Sequence, residues 1–110
     1  MATLGEKIRA LRKKAGLTLD QLAEAIGASK SAVWELENKV KARPSAERIN
    51  ELARVLAVTP EFLMDDQSSA EPSESVADTS FFRRYQQLDE PTKRQLQEIL
   101  KVLDRTKPDA

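Results

Sequence analysis

Residues 18–38 read TLDQLAEAIGASKSAVWELEN, and this stretch decides the fold. Thr18 is suited to cap a helix, and Gln21, three residues later, completes a capping box. Apolar residues then recur at helical spacing and predict one buried face. These residues are Leu19, Leu22, Ala23 and Ile26. Gly27 follows them directly, where a residue in the left-handed conformation ends a helix at low cost. The stretch therefore begins with a short helix that ends in a tight turn.

A second short helix follows this turn, with Ser29 as its cap. Val33 and Leu36 lie on one side of it and are expected to be buried. The other side carries polar and aromatic side chains. They are Lys30, Ser31, Trp34 and Glu35. A short helix with a buried inner face and an outer face of donors and acceptors has the form of a helix that reads DNA bases.

Residues 4–64 resemble the Cro/C1-type helix-turn-helix family, also called the XRE family, of phage and bacterial repressors. The matching runs are LRKKAGLT at 11–18, QLAEAIGAS at 21–29, LEN at 36–38, RPS at 43–45 and LAVTPEFLM at 56–64. Two positions depart from the family pattern. Leu19 stands where the family usually has Gln, and Lys39 stands where it usually has Gly. The resemblance implies an all-α, lambda-repressor-like DNA-binding domain.

Caps and apolar stripes predict the other helices of this domain. A second capping box begins at Thr3 and opens a first helix, with Lys7 among the bases on its solvent side. Pro44 with Ser45 starts a fourth helix, and Thr59 caps a short fifth helix with Pro60 at its first position. Residues 1–64 are therefore expected to form one compact domain of five helices.

The resemblance implies base contacts from the outer face of the second helix of the motif. Lys30 is suited to donate to guanine, Glu35 to accept from cytosine, and Ser31 to do either. The alternative is an ordinary solvated helix face. Trp34 is expected to pack either against a DNA sugar or thymine methyl group, or against the neighbouring helix.

Candidate phosphate contacts lie at helix ends and in the basic loop after the second helix. They are Thr18, Asn38, Lys39, Lys41 and Arg43. Leu19 cannot donate a hydrogen bond. The contact that glutamine makes in the family is therefore lost here, or an apolar contact with a thymine methyl group replaces it.

Arg12 and Glu37 match family positions that pair inside the domain. We expect a buried ion pair, so that replacing either residue unfolds the domain rather than changing its DNA preference. The alternative is that Arg12 contacts DNA.

The composition limits the possible functions. The 110 residues carry 18 bases and 18 acids, but unevenly: the balance is +3 over residues 1–64, −5 over 65–80 and +2 over 81–110. A domain this mildly basic must bind phosphate through local placement of charge.

The chain has no histidine and no cysteine, which removes the commonest general base, thiolate metal sites and disulfides. Acid pairs at 65–66 and 71–74 lie in a stretch without ligand spacing. We therefore expect no enzyme activity, no cofactor and no metal ion. No run resembles a signal peptide or a membrane span, so a cytoplasmic protein with no membrane partner is expected.

After residue 64 the composition changes. Residues 65–79 are acidic and Ser-rich, which predicts a flexible linker that tethers the C-terminal segment rather than positioning it. Residues 80–104 predict a helical hairpin and 105–110 a disordered tail. Two apolar stripes of the hairpin form a candidate oligomerisation surface. They comprise Phe81, Phe82, Tyr85 and Leu88, then Leu96, Ile99, Leu100 and Leu103.

The hairpin is too small to fold alone. Ordering it costs roughly 35–40 kcal/mol at about 1.5 kcal/mol per residue. Eight or nine apolar side chains at ~1.5–3 kcal/mol each do not offset this cost. The hairpin must therefore pack on a second copy, on its own N-terminal domain or on another protein. In architecture it resembles the tail of short biofilm-regulator (SinR-like) repressors.

Together with these patterns, the family resemblance implies a sequence-specific transcriptional regulator, of repressor type, that binds double-stranded DNA as a homodimer on a two-half-site operator. The alternative is an antitoxin or other protein-binding module, whose hairpin captures a toxin or an antagonist protein.

Overall fold

A computed structural model describes residues 2–39 and 43–106 of the chain, and within these residues it contains seven α-helices and no strand. They are α1 (Leu4–Lys14), α2 (Leu19–Ala25), α3 (Lys30–Asn38), α4 (Ala46–Leu56), α5 (Pro60–Met64), α6 (Glu74–Gln86) and α7 (Glu90–Thr106). Helices α1 to α5 form the N-terminal domain, and α6 with α7 forms the C-terminal hairpin. The predicted all-α fold is confirmed. Over the described ranges, no helix has both the length and the hydropathy to cross a membrane.

The helices of the N-terminal domain begin where their capping residues predict. Both capping boxes, at Thr3 and Thr18, are present. The Thr18 hydroxyl accepts from the Gln21 backbone N–H at 3.1 Å, and the Gln21 side chain accepts from the Thr18 N–H at 2.8 Å. Ser29 caps α3 in the same way. Gly27 has a φ of 68°, which confirms the predicted left-handed turn between α2 and α3.

One apolar core joins the five helices of the N-terminal domain. Each helix contributes a side chain that is at most 2% exposed. These side chains are Ile8, Leu22, Val33, Leu52 and Leu63. Burying each contributes about 1.5–3 kcal/mol, so the core holds α3 in one rotation about its own axis.

Helix α1 approaches the end of α3 at Gly5. A Cβ atom at this position would lie 2.5 Å from the carbonyl oxygen of Glu37 and 2.7 Å from that of Leu36. Both atoms are backbone atoms and cannot turn aside. The contact between α1 and α3 therefore requires glycine.

The prediction that Lys7 lies on the solvent side of α1 is wrong. The side chain is fully buried, and its Nζ lies 4.7 Å from the ring centroid of Phe62. The ammonium donates to the carbonyl oxygen of Phe62 at 2.7 Å and to that of Asp65. Burial lowers the pKa of Lys7. The buried ammonium is therefore satisfied by backbone carbonyl oxygens at the end of α5 and directly after it.

The hairpin begins earlier than predicted, and residues 74–79 are helix rather than linker. The Ser73 hydroxyl accepts from the Val76 N–H at 3.3 Å and caps α6. Val76 then packs against the core of the N-terminal domain. Because this stretch is acidic, the sequence predicted neither the cap Ser73 nor the packing of Val76.

The irregular segment between the domain and the hairpin is therefore 65–73. Its beginning is hydrogen-bonded to the domain, because the backbone N–H of Ala2 donates to the carbonyl oxygen of Ser68 at 3.1 Å. This shorter, hydrogen-bonded segment restricts the position of the hairpin more than the predicted 15-residue flexible linker would.

Helix α7 extends beyond its predicted end. Asp89 caps its start by accepting from the Thr92 N–H at 2.9 Å, as expected. At the other end Arg105 and Thr106 are helical, which corrects the predicted disordered tail. The remaining residues of that predicted tail, 107–110, lie outside the described residues.

Candidate nucleic-acid interface

The outer face of α3 carries the four side chains that the sequence singled out. They line one shallow depression of the surface and comprise Lys30, Ser31, Trp34 and Glu35. Trp34 is 51% exposed, so about half of its surface is open to solvent. On the opposite face Val33 and Leu36 are buried, which prevents α3 from turning this surface inward.

Both charged residues of this face have exposed partners. Lys30 Nζ lies 3.8 Å from Asp20 Oδ2, and Lys39 Nζ lies 3.2 Å from Glu35 Oε1. Exposed pairs of this kind contribute only about 0–1 kcal/mol, so either can be exchanged for another partner at low cost. Asp20 was missed at the sequence level, because its approach to Lys30 depends on how α2 and α3 pack.

The candidate phosphate contacts fall into two groups. Lys39 and Arg43 line a second depression together with Arg48, which the sequence had not indicated. Arg48 also donates to the carbonyl oxygen of Ile26 at 3.2 Å and so ties α4 to the end of α2. Lys41 lies outside the described residues.

Thr18 and Asn38 lie at helix ends, as predicted. The Thr18 hydroxyl is occupied as the cap of α2. The Asn38 side-chain amide donates to the carbonyl oxygen of Trp34 at 2.9 Å. Leu19, at the start of α2, is half-buried and packs against the core.

Arg12 and Glu37 form a bidentate ion pair inside the N-terminal domain. Arg12 Nε lies 2.7 Å from Glu37 Oε2, and its Nη2 lies 3.0 Å from Oε1. The third donor, Nη1, reaches the carbonyl oxygen of Leu17 at 3.0 Å. The hydrogen bond with Glu37 raises the pKa of Arg12. The side chains are 12% and 2% exposed, so Arg12 is engaged inside the domain.

The apolar stripes of the hairpin meet in a cleft of about 500 Å³. Seven of the eight predicted residues line it, and the eighth, Leu88, is half-buried elsewhere in the hairpin. The large apolar side chains are exposed: 64% for Phe81 and 60% for Leu100. Tyr85 joins the two helices, since its hydroxyl accepts from the Gln97 amide at 2.7 Å.

A capped α2, a left-handed glycine turn and an exposed α3 held by a buried core define the helix-turn-helix class. The family described as the helix-turn-helix domain matches residues 3–63, and the chain belongs to this family.

Particular relatives within this class share the N-terminal domain. The HTH-type transcriptional regulator SinR of Bacillus subtilis (strain 168) is 31% identical over 68 residues, which cover 62% of this chain and 61% of SinR. The HTH-type transcriptional repressor RghR of the same organism is 38% identical over 64 residues, which cover 58% of this chain and 47% of RghR. The chain therefore matches less than two thirds of the length of either relative.

Solved structures show the same fold. SinR, named as the master regulator for biofilm formation and solved in complex with DNA, has a TM-score of 0.54 at 32% identity, covering 57% of this chain and 100% of that chain. The P22 c2 repressor in complex with a synthetic operator has a TM-score of 0.56 at 29% identity, covering 59% of this chain and 97% of that chain. A chain of the SinR/SinI complex, 23% identical with a TM-score of 0.57, extends the shared fold to 94% of this chain and covers 100% of that chain.

Proposed function

We propose that the chain is a sequence-specific DNA-binding transcriptional regulator of repressor type. The observation that carries this proposal is the outer face of α3, where four side chains suited to base contacts are exposed while the core fixes the opposite face. Membership of the helix-turn-helix family supports it. So does the likeness to SinR and the P22 c2 repressor, both of which have been solved with DNA.

The chemistry of each side chain on this face assigns it a role. Lys30 donates to O6 and N7 of guanine, Glu35 accepts from N4 of cytosine, and Ser31 does either. Trp34 supplies apolar contact with a thymine methyl group or a sugar. Base edges then take the place of the exposed partners that Lys30 and Glu35 have in the unbound protein.

Phosphate contacts position α3 in the major groove without selecting a sequence. A basic cluster lies beside the outer face of α3 and comprises Lys39, Arg43 and Arg48. Thr18 and Asn38 provide contacts from helix ends, and the sequence places Lys41 in the same basic loop. Because the domain is only mildly basic, this local cluster supplies most of the attraction to DNA.

We propose that the chain acts as a homodimer on two half-sites. In dimers of this class the reading helices lie about 34 Å apart, one turn of DNA. The exposed cleft of the hairpin pairs with that of a second copy, and the connection between the domains converts the second half-site contact into an intramolecular one. A dimer bound across a promoter blocks or repositions the polymerase.

Selection of bound sites from random duplex DNA tests the reading face. The wild-type chain is expected to enrich one paired motif, and Lys30→Ala, Ser31→Ala and Glu35→Ala are each expected to relax a different base position. Lys39→Ala is expected to weaken binding to all sequences alike and to reduce the salt dependence. Lys101→Ala, an exposed lysine of α7, is the matched control. Failure to bind any duplex, even at low ionic strength, would overturn the proposal.

Truncation tests the dimer separately. A chain ending at residue 73 is expected to keep the fold of α1 to α5, because the buried residues of its core all lie between Ile8 and Leu63. It should sediment as a monomer and bind the selected operator more weakly. If the truncated chain sediments and binds DNA like the full chain, the hairpin does not mediate dimerisation and has a different function.

The exposed cleft also supports a second function, the capture of a different protein, as in an antitoxin or the target of an antagonist. The matched chain that shares the fold over 94% of this chain was solved in a complex of two proteins, SinR and SinI. A full chain that stays monomeric at high concentration would favour this second function. A full chain that dimerises through the cleft would favour the first.

A further inference from the structure

A separate groove lies between the N-terminal domain and the hairpin, and none of the candidate DNA contacts that the structure describes lines it. Its volume is about 370 Å³, within the range of small-molecule sites. Arg54 of α4 stands on one side, and Arg83 and Arg84 of α6 stand on the other. The groove is therefore lined by three arginine residues from two helices that are distant in sequence.

The charges around this groove are not balanced. Arg54 pairs with Glu51 at 2.9 Å and Arg83 pairs with Glu61 at 2.8 Å, both at the exposed surface. Arg84 has no ion-pair partner among the described residues. Only one of the two carboxylates, that of Glu51, lines the groove. The lining thus keeps an excess of positive charge.

The rest of the lining suits a ligand with a carbon skeleton. Ala53 and Val58 are buried and, with Pro60, make an apolar floor. Around it lie neutral polar groups that can form hydrogen bonds, those of Asn50, Ser80 and Gln87. Guanidinium groups bind phosphate oxygens in bidentate geometry and are the cations best matched to phosphoryl groups.

We propose that this groove binds a small organic phosphate with two phosphoryl groups, which contacts arginines of both α4 and α6. Such a ligand joins the hairpin to the N-terminal domain. That junction otherwise includes Val76 and the exposed pair of Arg83 with Glu61. The ligand would therefore fix the orientation of the hairpin relative to the reading helix. The site itself does not depend on DNA binding.

Titration of the ¹⁵N-labelled full chain, without DNA, tests the site. The probes are inorganic pyrophosphate and 1,6-hexanediol bisphosphate, with sodium sulfate at matched ionic strength as the reference anion. We expect saturable shifts of the Nε–H signals of Arg54, Arg83 and Arg84. We also expect tighter binding of the hexanediol compound, because its chain covers the apolar floor. Arg84→Gln should weaken binding at least about tenfold. Arg94→Gln, an exposed arginine of α7 outside the groove, should leave it unchanged.

Three results would overturn the site. The first is a set of signal shifts that do not saturate, or that sodium sulfate reproduces. Either result would indicate general ionic attraction rather than a specific site. The second is equal weakening in Arg84→Gln and Arg94→Gln. The third is saturable shifts centred on Lys39, Arg43 and Arg48, which would place the anion on the DNA-binding face. None of these results bears on whether α3 reads DNA, so the two proposals fail independently.

Discussion

The N-terminal domain buries most of its large apolar side chains, whereas the C-terminal hairpin leaves its own exposed. Helices α1 to α5 bury theirs in one core, with Ile8, Leu22, Val33 and Leu52 fully enclosed. In the described helices α6 and α7, by contrast, no residue is buried. The first region is a complete folding unit that leaves polar chemistry on its surface. The second leaves apolar surface exposed, which is typical of a protein interface.

Few contacts hold the two regions together. Val76 packs against the core of the N-terminal domain, and Arg83 pairs with Glu61 at the surface. An exposed ion pair contributes about 0–1 kcal/mol. Changes in one region should therefore have little effect on the stability of the other, and substitutions made in each region can test this separation.

Glu37→Ala should have the largest effect on the N-terminal domain. It leaves Arg12 without its buried partner and should lower the free energy of unfolding by about 3–5 kcal/mol. Urea unfolding measures the loss. Glu61→Ala removes an ion pair that is exposed, so it is the matched control and should cost about 0–1 kcal/mol. Equal losses in the two variants would contradict the structural role of the buried pair.

In the proposed dimer, Leu100→Asp should separate the two copies without unfolding the N-terminal domain. It places a charge in the apolar cleft, and self-association should weaken at least about a hundredfold. Analytical ultracentrifugation over a concentration series gives the dissociation constant. Gln95→Asp adds the same charge at an exposed polar position of α7, and its association should match the wild type. If Leu100→Asp associates normally, the cleft is not the interface.

Gly5→Ala should destabilise the N-terminal domain although alanine favours helix. The added Cβ collides with backbone oxygens of α3, and overpacking of this kind costs about 1–3 kcal/mol. Thermal unfolding measures the change. Arg9→Ala, at an exposed position of α1, should stay within about 0.5 kcal/mol of the wild type. A stabilised Gly5→Ala would show that α1 and α3 do not approach this closely.

Ala57→Gly should have a small effect of the opposite sign. Ala57 ends α4 with a φ of 58°, in the left-handed region, and its side chain is exposed. Glycine relieves this strain, so we expect a gain of about 0.5–1 kcal/mol in unfolding free energy. The same change inside a helix, Ala10→Gly in α1, should cost about 0.5–1 kcal/mol. A loss at both positions would contradict the strained turn.

Acid should weaken the caps of both regions by the smallest amounts. Hydrogen bonds from the Thr3 backbone and side chain lower the pKa of Glu6 at the start of α1. Hydrogen bonds from the Thr92 side chain and backbone lower the pKa of Asp89 at the start of α7. The ionised carboxylates therefore stabilise the fold above their ordinary pKa values of 4.5 and 3.8, and this stability is lost as the pH falls through the lowered values.

The neutral variants Glu6→Gln and Asp89→Asn test these caps. Each keeps a capping side chain without a titrating carboxylate, so each should lose less helix than the wild type in this acid range. Circular dichroism against pH measures the difference. Acid curves that coincide with the wild type would mean that the two carboxylates do not stabilise the helices.

Local signals made most of the N-terminal domain predictable. A capping side chain and the spacing of apolar residues lie within one helix, so Thr18, Gly27 and the outer face of α3 could be located from the sequence. The features that the sequence did not predict depend on contacts between chain segments that are far apart. Lys7 is buried where its ammonium donates to the carbonyl oxygen of Phe62, 55 residues later in the chain. Likewise, Gly5 is required only because α3 passes close to it.

The same distinction explains the candidate site. The four residues on α3 follow from helical spacing, whereas their partners depend on packing between helices. Asp20 meets Lys30 only through the angle between α2 and α3, and Arg48 reaches Ile26 only through the placement of α4. In the hairpin, the acidic and Ser-rich composition predicted a linker, although Ser73 caps α6. The first turns of α6 were therefore not predicted.

Amide hydrogen exchange of the full chain at two protein concentrations tests the contrast between the regions most directly. If a second copy completes the hairpin, protection of amides in α6 and α7 rises with concentration, while protection in α1 to α5 stays constant because that core is already complete. Protection of α7 that is independent of concentration, or protection that changes throughout α1 to α5, would contradict the account.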